Sequence, residues 1–215
     1  MLIHPHDAGR DEDEWRAFVA AQGFGHLVAS GVGRAVPVVV PTQLLLDGDH
    51  VWLHLAAVNP LLEALAEQPR AVMSVAGDWA YIPAAWKAVG DEDPRSAIPT
   101  TYYAAVQLTG QVTVLSDPDE VAAVLRRQLA ALEPGADLVD PRTHGAKLRA
   151  IRGLRLDIDE VRVKLKYGGN VDDAHRSAIA ERLAERGGPG DAAALAHVRR
   201  PPPGASGRGG GGDVV

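Results

Sequence analysis

Apolar and polar positions along this chain fall first into a helical rhythm and then into a mostly two-residue one. Asp11-Glu12-Asp13-Glu14 opens acidic, Trp15, Phe18 and Val19 follow at i, i+3 and i+4, and Gly23 ends the run. That spacing predicts a short amphipathic helix with its acids at the positive end of the dipole. Phe24 to Ser30 and Ala35 to Leu46 read as strands around Gly31-Val32-Gly33-Arg34, whose glycines can take the positive φ of a hairpin turn. Leu46-Asp47-Gly48-Asp49-His50 is a second such turn and Val51 to Leu55 continues the alternation, so three strands are expected side by side as a meander. Asn59-Pro60 starts a helix, with Asn59 as N-cap and Leu61, Leu62, Leu65 and Ala66 as its apolar face.

Pro69 ends that helix, and Ala71 to Ala76 is a short apolar strand. Gly77 to Ala97 is expected as a loop, too rich in Trp, Pro and charge to be a plain connection, and therefore a carrier of function. Thr101 to Leu115 is long enough for a principal strand; Ser116 to Glu120 signals a capped helix start, with Val121 to Leu132 in helical period. Arg152 to Lys166 alternates again and closes the sheet. Helices are expected at 173–186 and 191–199. The reading is a mainly β protein with flanking helices (α+β): a β-barrel domain over 1–170, a C-terminal helical extension packed on it over 171–200, and a disordered Pro/Gly-rich tail over 201–215.

Composition narrows the chemistry. The 215 residues, 46% hydrophobic, can bury one substantial core, and with no cysteine there is no disulfide, thiolate metal site or cysteine nucleophile. No apolar run approaches the roughly 20 residues that cross a bilayer, and Met1 to Asp7 lacks a signal-peptide pattern, so a soluble cytoplasmic protein with no membrane contact is expected. A net charge of -6 argues against a broad nucleic-acid footprint.

In a chain only 5% aromatic, Trp79, Tyr81, Tyr102 and Tyr103 stand close in sequence. They form either a wall for a flat conjugated ligand or a core that collects its few rings in one place. His54 lies opposite Leu53 and Leu55 on its strand; it is either a histidine satisfied within the sheet or a partner of a cofactor, including an axial ligand of haem iron. Lys164 and Lys166 share a strand face with Arg162, and the row is either a solvated stripe or a phosphate cradle to which Thr42, Thr100 and Thr101 add hydroxyls. No P-loop, dinucleotide fingerprint or hydrolase nucleophile motif is present.

The order of five blocks then becomes informative: Phe24-Gly25-His26-Leu27-Val28, His54-Leu55-Ala56-Ala57-Val58-Asn59-Pro60, Trp79-Ala80-Tyr81-Ile82-Pro83, Ile98-Pro99-Thr100-Thr101-Tyr102-Tyr103-Ala104-Ala105-Val106-Gln107 and Val163-Lys164-Leu165-Lys166-Tyr167-Gly168-Gly169-Asn170. In that order the chain resembles the PaiB family of FMN-binding negative transcriptional regulators. The resemblance implies an FMN-binding split β-barrel, a homodimer with the cofactor at the subunit interface, and flavin-dependent redox activity as a further expectation. It implies that His54 and Asn59 line the cofactor pocket, that Thr100 to Tyr103 border the ring system and that Lys164 and Lys166 lie near an anionic group. The chain departs from the family pattern where it reads Pro41-Thr42-Gln43-Leu44 in place of a Thr-His-Leu-Pro segment. It departs again at Pro99 to Tyr103, which replaces Pro-Thr-Trp-Asn-Tyr. A branch of the family is similar to haem-dependent piperazate synthases, and there a histidine matching His54 ligates iron, which makes haem b the alternative cofactor. DNA is the partner that the family name brings, yet no helix-turn-helix with a basic recognition helix is evident.

Overall fold

The structure, a computed structural model, describes residues 1–88 and 91–201; the expected disordered tail therefore lies, apart from Pro201, outside the described residues. The elements are α1 (Glu12–Gln22), β1 (Phe24–Ala29), β2 (Val38–Gln43), β3 (Leu45–Asp47), β4 (His50–Ala56), α2 (Leu61–Glu67), β5 (Arg70–Ile82), α3 (Ala84–Lys87), β6 (Thr100–Leu115), α4 (Pro118–Leu132), α5 (Ala146–Arg149), β7 (Ile151–Lys166), α6 (Asp173–Arg186) and α7 (Asp191–Val198). The strands form one sheet in the order β2-β1-β5-β6-β7-β4-β3. Its registered pairs, β1 with β2, β1 with β5, β3 with β4 and β4 with β7, are antiparallel. The described residues are thus mainly β with flanking helices, as the patterning implies.

Two compact units emerge. The first holds Met1–Trp15, Ala76–Ala105 and the described residues from Val163 onward; the second holds Arg16–Val75 and Val106–Arg162. The second unit is built on alternation. Leu27, Val51, Leu53, Met73, Val75, Val106, Leu108, Leu154 and Leu156 are fully buried, and each contributes roughly 1.5–3 kcal/mol by leaving water. Register aligns these residues, since Leu53 faces Leu154 and Val51 faces Leu156 across β4 and β7. Gly31 and Gly33, at φ of 62° and 70°, make the turn between β1 and β2. Asp117 caps α4, accepting from the amides of Asp119 and Glu120 at 2.8 and 3.3 Å, and Pro118 takes the first helical position. Val121, Ala122 and Leu148 then form a small apolar cluster against Leu125 and Ile151.

In the first unit, Ile179 and Leu183 of α6 and Ala194 and Val198 of α7 are buried together with Ala80, Ile82, Tyr102 and Ala104. Asp172 caps α6 through the amide of His175 at 2.8 Å. Arg186 Nε and the amide of Gly188 both donate to Asp191 Oδ2, at 2.7 and 2.8 Å, which pins the short link from α6 to α7.

Two expectations are corrected. The three-strand meander does not form: β1 and β2 pair at one end of the strand order, whereas β3 and β4 pair with each other at the other end, with β4 against β7. The run from Ala35 to Leu46 breaks at buried Leu44, whose amide donates to Gly23 O at 3.0 Å at the end of the β1–β2 pairing, before β3 turns to β4. Alternation reports which face a residue takes and is silent on which strand it pairs with. The region expected as a loop from Gly77 is strand as far as Ile82, followed by α3. The strand passes the Gly77-Asp78 turn signal because Asp78 adopts a left-handed φ of 51°, which aspartate tolerates better than most residues.

Candidate cofactor site

The expected site residues fall into two groups, one in each unit. In the first unit β6 and β7 bring Thr100 and Lys166 together: Lys166 Nζ donates to Thr100 Oγ1 at 2.7 Å. Lys87, at the end of α3, joins them electrostatically, because burial and the charge of Lys166 both hold its ammonium below the usual lysine range. The half-buried Tyr103 ring lies 6.0 Å from Lys166 Nζ and 5.8 Å from Lys164 Nζ. Lys164 is otherwise engaged. It is buried, donates to Leu2 O at 3.0 Å and pairs with Asp7 at 3.6 Å. Thr101 is exposed, and Tyr81 is half exposed together with Trp79, two residues before it on the same face of β5.

Tyr102 points inward at 2% exposure, edge-on to Tyr167 with ring centroids 5.9 Å apart. Burial pushes its hydroxyl up to about 12, and Tyr167 is raised further by burial and by the charge of Asp78. The hydroxyl of Tyr102 has no hydrogen-bond partner among the described residues. The motif Tyr167-Gly168-Gly169 fits here because a Cβ at Gly168 would meet Tyr102 Oη and one at Gly169 would meet His6 O, with Gly168 also at φ of 75°.

In the second unit α4 covers the face of β4 that carries His54. His54 Nδ1 lies 2.7 Å from Gln128 Oε1, and Gln128 is 4% exposed. An amide oxygen only accepts, so Nδ1 is the donor in this pair and Nε2 is the ring nitrogen left outside it. Trp52 shares that face of β4, with Arg127 stacked over its ring at 4.7 Å. Thr42 is buried and donates to Gln43 O at 3.2 Å. Asn59 Oδ1 accepts from the amide of Leu61 at 3.0 Å and so caps α2, the role its position before Pro60 implies.

Sequence reasoning missed Lys87 and Gln128. Lys87 follows Trp86 in the aromatic stretch, a signal that could have drawn attention to it. Gln128 had no signal, since a glutamine on an amphipathic helix reads as surface. Chemically, the first group offers two ammonium ions and a hydroxyl, which suit a phosphate, and the second offers an imidazole.

No curated protein matches this sequence. Among solved structures, the flavocytochrome Anf3 from Azotobacter vinelandii is 23% identical, with 79% of this chain and 74% of that chain covered and a TM-score of 0.59. The FAD and heme binding protein from Mycobacterium smegmatis is 22% identical, with 80% of each chain covered and a TM-score of 0.61. Likeness at this identity establishes the fold alone, a mainly antiparallel sheet with flanking helices shared with those two structures. Residues 1–160 match the family described as "Putative FMN-binding domain", and the chain belongs to that family.

Proposed function

We propose that the protein is an FMN-binding flavoprotein of the PaiB type, cytoplasmic and homodimeric, in which Lys166, Thr100 and Lys87 hold the FMN phosphate. The cofactor-binding part is 1–170, with 171–200 as its helical extension. The observation that carries this reading is the pairing of the Lys166 ammonium with the Thr100 hydroxyl beside a second, partly desolvated ammonium at Lys87. Two like charges held close call for an anion between them, so the residues fit the phosphate. The exposed rings of Trp79 and Tyr81 fit the flat isoalloxazine. FMN, when bound, supplies hydride and single-electron transfer; the chain's own part is to bind the phosphate, present an aromatic face and limit water at it.

Titration with FMN, followed by quenching of flavin fluorescence, tests the assignment. Lys166→Ala should weaken binding about 10–100-fold, the loss of one charge-assisted hydrogen bond worth about 1.5–3 kcal/mol. Unchanged affinity would remove Lys166 from the site. The regulatory role rests on the PaiB resemblance, and a salt-dependent shift of a promoter fragment at micromolar protein or below would support it.

A second reading is favoured by one observation. The Gln128 amide oxygen engages His54 Nδ1, which leaves Nε2 as the ring nitrogen to ligate haem iron. The two solved structures named for a flavin or cytochrome group, one of them for FAD and heme together, add to it. A Soret band on adding haemin to the purified protein, lost in His54→Ala, would support haem b; no band would rule it out.

A further inference from the structure

Three arginines from separate segments of the first unit converge on one small cavity. Arg10 comes from the N-terminal segment, Arg176 from α6 and Arg200 from just beyond α7; His6, Glu14 and His197 also line it, and its volume is about 30 Å³. Glu14 is the one carboxylate among the described lining residues. It is 8% exposed and is already committed to Arg10, accepting from Arg10 Nε and from the Arg10 amide at 2.9 Å each. Arg200 Nη1 stands 3.7 Å from the same carboxylate.

Arg176 is 7% exposed and donates through Nη2 to the carbonyls of Val198 and Arg200, which caps the end of α7. Those partners are neutral. Asp173, one turn away, offsets part of the charge, yet burial still draws the guanidinium below its usual range. Nε and Nη1 of Arg176 have no partner among the described residues. Three guanidinium charges therefore face a single carboxylate; Arg176 and Glu14 are buried while the Arg10 and Arg200 side chains are 26% and 44% exposed, and the excess of positive charge favours a counter-charge among them.

We propose that this cavity binds a small monovalent inorganic anion of chloride size, held by guanidinium N–H groups of Arg176 and Arg200. A water needs about 10–15 Å³ by this measure, so the space takes one such ion with little to spare. A phosphate ester does not fit, and the proposal does not depend on the flavin reading. The bound ion would tie the N-terminal segment to the C-terminal helices.

Thermal unfolding of the full chain in sodium bromide, against sodium gluconate at equal ionic strength, tests it. A saturable rise in Tm of roughly 2–4 °C is expected in bromide, absent in Arg200→Gln and restored in Arg200→Lys. Equal Tm in the two salts, or a rise that survives in Arg200→Gln, would overturn the proposal. If the variants do not fold, bromide-soaked crystals of the unaltered protein decide through anomalous scattering. A peak among Arg10, Arg176 and Arg200 supports the site, and its absence removes it.

Discussion

The two units handle charge in opposite ways. In the second, ion pairs lie at the surface: Arg126 with Asp140, Arg155 with Asp157 and Arg127 with Asp47 are each about a third or more exposed on both sides. Its interior is aliphatic, and His54 with Gln128 is the polar contact beneath α4. In the first unit, charge goes inside. Asp7 is 3% exposed and Asp191 1%, and Glu14, Lys164 and Arg176 are all buried. His197 stacks on Tyr167 at 4.4 Å and bonds Asp78 at 2.8 Å. Buried ion pairs add little net stability over apolar packing, and breaking one by removing a single partner is expensive. The second unit is therefore a tolerant apolar scaffold, and the first is a network in which each member depends on the others.

The sharpest test of that contrast is Lys164→Met, which leaves the Asp7 carboxylate buried without its ammonium. A loss of about 3–5 kcal/mol in urea unfolding is expected, and Asp7→Leu/Lys164→Met should recover most of it. Arg155→Met in the second unit should lose less than about 1 kcal/mol, because its partner stays in water. Equal losses would erase the distinction between the units.

Acid reads the same contrast more gently. Arg186 beside Asp191 holds that carboxyl below the usual carboxylate range, helped by the Gly188 amide. A depressed pKa gives stability that is complete above the unfolded value, about 3.9, and is lost as pH falls toward the lower folded value. Below pH of about 4, Tm should fall, and Arg186→Gln should flatten that fall by lowering Tm at neutral pH.

Much of this fold was legible in the chain, and the reasons differ by element. Helices α1, α4 and α6 and strand β7 lie within a residue or a few of their expected bounds, because capping residues and periodicity are local signals. The pairing of β4 with β7 was not legible, since partner choice is decided by packing of distant segments. Of the expected site residues, Thr100 and Lys166 are in contact with each other. Lys164 shares its strand face, yet its ammonium is bonded to Leu2 O and Asp7, which no spacing rule signals from the far end of the chain. Gln128 was invisible because its meaning comes from a histidine 74 positions away.

At high pH the buried tyrosines of the first unit separate from the bulk. Tyr102 is pushed up to about 12 by burial, with Tyr167 higher still. A raised tyrosine pKa gives stability that is present below about 10, the unfolded value, and drains away as pH rises toward the folded value. Tyrosinate absorbance at 295 nm should thus omit both rings until the protein unfolds, and Tyr102→Phe should leave the signal near pH 10 unchanged. A reduced signal near pH 10 in that variant would mean Tyr102 is reached by water.

The smallest expected effect belongs to the second unit, at Arg126→Ala. Asp140 is held below the usual carboxylate range by Arg126 and by the Arg142 amide, and Arg126 is raised in turn. Shifts in both partners look like a strong bond. Both side chains are nearly half exposed, however, so water and salt take over the charge when either partner leaves. Asp140 keeps its other task, since its Oδ1 still accepts the Arg142 amide at 2.7 Å. Arg126→Ala should therefore leave Tm unchanged within error in 0.15 M salt. A clear fall in Tm would show that the surface of the second unit is as interdependent as the interior of the first.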